Sequence, residues 1–177
     1  MPSIEPGKKA PAFKLTDQYG HIHRLSDYSD KFLILYFYPK DNTPGCTKEA
    51  CDFQAHMPTF KRAKATVLGI SILNEASKQK FANKHKLTFP LLADEDHAIS
   101  EKYGVWQKKN RYGHTYMGIV RTTYLIGKNG KVIKRWDKVK VDDHVTEVSE
   151  TLTLARKRPK KTNTLWSKRD EQNFHEA

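Results

Sequence analysis

The fold of this chain is decided by residues 32–51, which read FLILYFYPKDNTPGCTKEAC. The first seven of these residues are apolar, rich in branched and aromatic side chains, and followed directly by a proline, which is typical of a strand buried on both faces. A helix is predicted over residues 44–61, because Thr43 suits the N-cap and Pro44 suits the first helical position. A buried strand, a short loop and a helix should therefore follow one another directly.

Both cysteines of the chain, Cys46 and Cys51, fall within that helix. Cys46 takes the third helical position, where unpaired N–H groups and the positive end of the helix dipole favour an anion. Because the thiolate is the reactive form of cysteine, we predict that Cys46 is a nucleophile. The alternative interpretation of a free cysteine is a small buried hydrophobic residue.

The spacing of the two cysteines limits how they can react with each other. Five residues of helix separate Cys46 from Cys51 by about 140° around the axis and about 7.5 Å along it. Their Cα atoms should then lie about 8–9 Å apart, beyond the roughly 7 Å that a disulfide can bridge. A Cys46–Cys51 disulfide therefore requires the first turns of the helix to unwind. Spacing alone leaves open whether Cys51 is a redox partner or an inert core cysteine.

Length and composition indicate one globular domain. The 177 residues suit a single domain, and 37% hydrophobic with 29% charged residues is typical of a soluble protein. No apolar run approaches the about 18 residues of a membrane span, and the first residues lack the apolar core of a signal peptide. We therefore expect a cytoplasmic location and no membrane partner. A close cysteine pair in that compartment indicates redox chemistry rather than a structural disulfide.

The formal net charge of +12 is partly concentrated at the C-terminus. We divide the chain into a domain over residues 1–155 and a basic, flexible tail over residues 156–177, in which seven basic residues stand against three acidic ones. Most such terminal runs are solvated appendages, so nucleic acid is not the expected partner. Binding of nucleic acid or another anionic surface through this tail stays open as an alternative function.

The remaining pattern predicts an α/β fold, a central mixed sheet flanked by helices with an N-terminal hairpin. The predicted strands are 13–16 and 22–25, which form that hairpin, then 66–72, 90–93, and the hairpin 122–126 with 131–136. The predicted helices are 75–86, 97–103 and 142–154. His21 and His23 could share one face of a strand, but a solvated pair in a hairpin is the favoured interpretation, and no His-Glu-X-X-His pattern occurs, so no metal site is expected.

Two segments resemble a known family. The spacing of Pro39, Thr43 and Cys46 resembles the active-site motif of the peroxiredoxins, and residues 43–51, TPGCTKEAC, resemble their bacterioferritin comigratory protein (Q-type) branch. Residues 116–126, YMGIVRTTYLI, resemble a second segment of that branch, and the likeness covers about residues 4–155. It implies a thioredoxin-like fold and a thiol peroxidase that reduces hydrogen peroxide and organic hydroperoxides. Leu73 departs from the branch, which often has an acidic residue there.

The resemblance also implies roles for individual residues. Cys46 would be the peroxidatic cysteine and Cys51 the resolving cysteine found in many members of the branch. The surrounding residues would orient, shield or hold the reacting groups: the Thr43 hydroxyl, the Arg121 guanidinium, Pro39 over the pocket, the Gly45 backbone N–H, and the Glu49 carboxylate that holds the arginine. Without the motif, Arg121 would be interpreted as a surface ion-pair residue.

The implied cycle needs no metal and no organic cofactor. Peroxide would oxidise Cys46 to a sulfenic acid, Cys51 would condense with it to a disulfide, and thioredoxin or a similar dithiol would reduce that disulfide. A resolving cysteine in the same chain makes a monomer the expected state. A redox sensor or binding module, in which the cysteines report oxidation without turnover, is the alternative.

Overall fold

The computed structural model describes residues 2–157, which form a seven-stranded mixed sheet with helices on both faces. The sheet has the order β2-β1-β5-β4-β3-β8-β9, and β6 and β7 form a separate two-stranded ribbon. The strands are β1 Lys14–Thr16, β2 Ile22–Arg24, β3 Phe32–Phe37, β4 Ala65–Ser71, β5 Leu91–Ala93, β6 Trp106–Arg111, β7 His114–Ile119, β8 Thr122–Ile126 and β9 Val132–Trp136. The helices are α1 Pro44–Ala55, α2 Met57–Arg62, α3 Glu75–His85, α4 Ala98–Lys102 and α5 His144–Lys157.

Strand β3 is the centre of the molecule, as its apolar sequence predicts. It pairs in parallel with β4 and antiparallel with β8, and all six of its residues are buried. Its side chains alternate between two cores: Ile34 and Tyr36 pack on the side of α1, whereas Leu35 and Phe37 pack on the opposite side. The predicted α/β fold with a central mixed sheet and an N-terminal hairpin, β1 with β2, is confirmed.

Two features differ from the sequence predictions. The helix predicted over residues 44–61 is two helices, because Pro58 lacks an N–H and cannot continue α1, which ends at Ala55. The β6–β7 ribbon was not predicted, although Tyr112 and Gly113 at its tip both have positive φ, as a tight hairpin turn requires. Its residues are mostly exposed and polar, so no apolar alternation marks it.

The C-terminal prediction is only partly covered by the structure. Helix α5 starts two residues later than predicted and continues through Arg156 and Lys157, the first two residues of the predicted tail. Residues 158–177 lie outside the described part of the chain, so the basic tail stays a prediction. Within residues 2–157, no helix has both the length and the apolar character needed to cross a membrane.

Candidate active site

The loop after β3 delivers Cys46 into the first turn of α1. Thr43 has the extended backbone of an N-cap, and α1 begins at Pro44, so Cys46 takes the third helical position as predicted. The Thr43 hydroxyl does not cap the helix; it donates instead to the Lys40 carbonyl at 3.2 Å. The first turn therefore has no side-chain cap, which leaves its N–H groups available to an anion. The Cys46 side chain is buried, with 1% of the residue exposed.

Arg121 reaches Cys46 from the neighbouring strand. It lies just before β8, whose Thr122 pairs with Phe37 at the end of β3. One guanidinium nitrogen, Nη2, is 3.3 Å from Cys46 Sγ, and the other, Nη1, donates to Glu49 Oε1 at 2.8 Å. Burial acts to lower the pKa of Arg121, but Glu49 and Cys46 raise it overall, so the guanidinium is a fixed positive charge beside the sulfur.

Glu49 is one helical turn after Cys46 on α1 and is completely buried. Burial raises the pKa of Glu49 to about 7, although Arg121 acts in the opposite direction. Its second oxygen, Oε2, has no hydrogen-bond partner among the described residues. The carboxyl group is therefore held through Oε1 alone, by the arginine that contacts the sulfur.

His144, which the sequence analysis did not single out, lies behind Glu49. Its Nε2 atom is 4.0 Å from Glu49 Oε2 and 2.8 Å from Thr123 Oγ1. Burial, together with the charge of Arg121, lowers the pKa of His144 to about 4, so the ring is neutral at pH 7. The only sequence signal is its position on the buried face of α5, four residues before Val148. A histidine on such a face is usually a core residue, which is why sequence alone did not find it.

Gly45 has a steric role in addition to the role predicted for its backbone N–H. A Cβ atom at this position would lie 3.2 Å from Arg121 Nη2, tighter than ordinary van der Waals contact. The absence of a side chain lets the guanidinium approach the first turn of α1. Pro39 is partly buried in the same loop, and its shielding role stays a prediction.

Cys51 differs from Cys46 in its surroundings. Both thiols are free, and both lie on the continuous helix α1, so the sulfurs project in different directions as the spacing predicts. Cys51 is partly exposed, and burial and the neighbouring Asp52 raise its pKa. In the folded helix Cys51 is therefore a protonated thiol.

The β6–β7 ribbon brings a further cation to the site, one that the sequence analysis missed. Lys109 on β6 donates from Nζ to the Ile119 carbonyl at 3.0 Å, two residues before Arg121. Burial and the charges of Arg121 and Lys40 lower the pKa of Lys109, while Cys46 acts in the opposite direction. Within residues 2–157, no three His, Cys, Asp or Glu side chains are grouped so that they could hold a metal ion.

Comparison with known proteins matches this chain to one family. Residues 6–135 match the AhpC/TSA family. The chain is 48% identical over 150 residues to peroxiredoxin Bcp of Bacillus subtilis, covering 85% of this chain and 96% of that protein. It is 42% identical over 144 residues to peroxiredoxin Bcp of Escherichia coli, covering 81% of this chain and 92% of that one.

The chain belongs to the AhpC/TSA family, in its bacterioferritin comigratory protein branch.

A solved structure supports the same assignment. The bacterioferritin comigratory protein of Xanthomonas campestris, studied for its alkyl peroxide reduction activity, superposes with a TM-score of 0.81 at 36% identity, over 86% of this chain and all of that one. The predicted thioredoxin-like fold is confirmed, and so is the enzyme class: this protein is a peroxiredoxin, a thiol peroxidase.

Proposed function

We propose that this peroxiredoxin reduces hydrogen peroxide and organic hydroperoxides with Cys46 as its peroxidatic residue. The observation that carries the proposal is the 3.3 Å contact between Arg121 Nη2 and Cys46 Sγ, made by a guanidinium that Glu49 holds at 2.8 Å. An uncapped helix start and a fixed cation both stabilise a sulfur anion. The alkyl peroxide activity of the Xanthomonas campestris relative supports organic hydroperoxides as a substrate class.

In the first step the Cys46 thiolate attacks the terminal oxygen of the hydroperoxide. An S–O bond forms as the O–O bond breaks, which gives a sulfenic acid and an alkoxide or hydroxide that takes a proton from solvent and leaves as alcohol or water. Negative charge moves onto the leaving oxygen, so donors placed beforehand around it lower the barrier. We assign this work to the Arg121 guanidinium, the Gly45 and Cys46 backbone N–H groups and the Thr43 hydroxyl, under the cover of Pro39.

In the second step the Cys51 thiol condenses with the sulfenic acid. A Cys46–Cys51 disulfide forms and one water molecule leaves. Because the two sulfurs lie on different faces of α1, the first turns of this helix have to open, and Glu49 then separates from Arg121. A dithiol such as thioredoxin returns both cysteines to thiols and becomes a disulfide itself. Cys51 is partly exposed, which favours access for that reductant.

The same scheme supports two finer proposals. A resolving cysteine within the chain removes any need for a second subunit, so we propose a monomer. Regeneration by a dithiol requires a reducing compartment, so we propose the cytoplasm. Light scattering of the reduced and the oxidised protein tests the first of these, since a dimer in either form would contradict it.

Turnover separates a peroxidase from a redox sensor. NADPH consumption with thioredoxin, thioredoxin reductase and hydrogen peroxide should be continuous in the wild type and absent in Cys46→Ser. A wild-type protein that is oxidised once and then stops would favour the sensor.

Mass mapping after one equivalent of peroxide tests the second step. A Cys46–Cys51 link within one chain is expected. A lasting sulfenic acid on Cys46 with Cys51 still a thiol would remove Cys51 from the mechanism. Cys51→Ser, the matched variant, should accept one oxidation and then form no internal disulfide.

A further inference from the structure

Besides the Arg121–Glu49 pair, the structure contains a second buried ion pair, one member of which precedes Cys46 in the chain. Asp41, in the loop between β3 and α1, places Oδ2 3.4 Å from Nζ of Lys78 on α3. The two side chains are 1% and 0% exposed, so both charges are withdrawn from water. A buried charge without a partner is costly, and each member of this pair therefore depends on the other.

Asp41 is the centre of a network that joins three elements. Its Oδ1 accepts a hydrogen bond from the Tyr38 hydroxyl just after β3 and a longer one, 3.5 Å, from Ser71 at the end of β4. Its Oδ2 accepts from Ser77 Oγ on α3 at 2.8 Å, in addition to Lys78. Lys78 Nζ also donates to Ser71 Oγ, which fixes the ammonium in place. The loop that leads to Cys46 is thereby tied to two neighbouring elements.

The electrostatics of Lys78 agree with this geometry. Burial lowers the pKa of Lys78, while Asp41 acts to raise it. If the cation were absent, Asp41 would keep its hydroxyl donors but would be a buried carboxylate with no compensating charge. We expect the loop to move into water, and because Asp41 lies only three residues before α1, this movement would also loosen the first turn of that helix.

We infer that Lys78 is a positioning residue: it holds Asp41, and through it the loop before Cys46, in the closed arrangement. It thereby sets the small fraction of molecules whose α1 is open enough for Cys51 to reach the oxidised Cys46. This inference rests on the proposed peroxidase cycle. Lys78 touches neither the peroxide nor the reacting sulfur, and it acts through Asp41.

The open fraction decides between two fates of the sulfenic acid. In the open form, Cys46–SOH and the Cys51 thiol give the disulfide and one water. In the closed form, Cys46–SOH can react with a second hydroperoxide, which gives the sulfinic acid Cys46–SO₂H and one alcohol or water. A tighter closed state therefore favours sulfinic acid, and a looser one favours the disulfide.

Lys78→Met tests the inference, with Lys80→Met as the matched control on the exposed side of the same helix. Rapid-quench mass spectrometry would follow the sulfenic acid, the disulfide and the sulfinic acid at increasing hydrogen peroxide. In Lys78→Met we expect disulfide formation about tenfold faster and sulfinic acid about tenfold lower at equal peroxide. The rate of the first oxidation should change by less than about threefold, because most molecules are still closed. Lys80→Met should match the wild type.

Charge compensation predicts a rescue. Adding Asp41→Asn to Lys78→Met removes the unpaired carboxylate, so the rates should return toward those of the wild type. If the double variant stays as fast as Lys78→Met in disulfide formation, the pairing argument is wrong. Equal slowing of both steps in Lys78→Met would indicate general damage to the fold and would also overturn the inference.

Ser77→Ala provides the milder test should Lys78→Met fail to fold. It removes only the 2.8 Å hydrogen bond to Asp41, so disulfide formation should be about threefold faster. An unchanged rate would count against the network. A wild-type protein that forms no sulfenic acid or disulfide at all would instead contradict the proposed function, so the two failures are distinguishable.

Discussion

Helices α1 and α3 each contribute one member of a buried ion pair, Glu49 with Arg121 and Lys78 with Asp41, but their first turns are built differently. In α3 the Asn74 side chain caps the helix by accepting from Ser77 N at 2.9 Å, and Lys86 ends it in a left-handed conformation. In α1 the Thr43 side chain makes no such bond. A capped helix is a stable platform, whereas an uncapped first turn leaves its N–H groups available to an anion and costs less to open.

The two buried carboxylates show the same contrast. Asp41 accepts hydrogen bonds on both oxygens, from residues of three elements. Glu49 uses one oxygen for Arg121, and the other has no partner among the described residues. Donors from several elements hold the Asp41 carboxylate in one position, whereas burial with a single partner raises the pKa of Glu49 to about 7. The first carboxylate holds a loop, and the second can respond to pH.

The largest expected effect is loss of the cation that touches the sulfur. Arg121→Met should slow the oxidation of Cys46 by about 100- to 1,000-fold, the usual effect of removing one donor from a charge-stabilising site. Competition with a second thiol peroxidase for limiting peroxide would measure the rate constant. Arg135→Met is the matched control, because Arg135 is also ion-paired, with Glu5 and Asp137, but lies outside the site. A comparable loss in that control would show that the effect is structural.

The pH dependence of stability should distinguish Glu49 from His144. The pKa of Glu49 is raised to about 7, so its stabilising contribution is complete below its unfolded value near 4.5 and is lost as pH rises through 7. The pKa of His144 is lowered to about 4, so its contribution is present above its unfolded value near 6.5 and is lost as pH falls through 4. In the wild type, the contribution of Glu49 to stability falls with rising pH whereas that of His144 increases, so the two partly cancel between about pH 4 and pH 7.

Two single variants test separately how Glu49 and His144 contribute to the pH dependence of stability. Relative to wild type, the free energy of unfolding of Glu49→Gln should rise with pH between 4.5 and 7, and that of His144→Asn should fall between 4 and 6.5. Each difference should amount to about 3 kcal/mol. Urea unfolding at a series of pH values measures both. Difference curves of the same sign would show that the two groups do not titrate as their burial implies.

A side chain at Gly45 should act on both steps of the cycle. In Gly45→Ala the new Cβ would crowd Arg121 Nη2 at 3.2 Å, so we expect the first oxidation to slow by about tenfold. Alanine also favours the helix over glycine, by up to about 1 kcal/mol, so the opening that precedes disulfide formation should become rarer. Stopped-flow oxidation and rapid-quench mass spectrometry would measure the two steps. An unchanged oxidation rate would show that Arg121 can move aside without loss.

The sequence predicts the parts of the site that depend on local signals. The apolar run of β3, the helix start at Pro44 and the turn between β8 and β9 are each encoded by neighbouring residues, and the structure confirms all three. The position of Arg121 beside Cys46, 75 residues away along the chain, followed from the family resemblance and not from any periodicity.

The parts that depend on long-range pairing could not be predicted in this way. Asp41 and Lys78 are 37 residues apart, and charged residues normally indicate solvent, so nothing local marks them as buried. Lys109 lies on a ribbon whose exposed residues lack apolar alternation. The break before α2 is different, because Pro58 was visible in the sequence and the predicted helix passed over it.

The smallest expected effect compares the two helix starts directly. Asn74→Ala removes the side-chain cap of α3 and should lower the free energy of unfolding by about 1 kcal/mol. Thr43→Ala removes no cap, since its hydroxyl bonds only the Lys40 carbonyl, and should cost less than about 0.5 kcal/mol. The oxidation rate should show the opposite order, because the Thr43 hydroxyl is proposed to orient the peroxide and Asn74 is assigned no part in that step. Urea unfolding and peroxide competition on the same two proteins would measure both quantities. A Thr43→Ala variant that loses as much stability as Asn74→Ala would mean that the hydroxyl does cap α1 in solution, and that the first turn of this helix is as firmly held as that of α3.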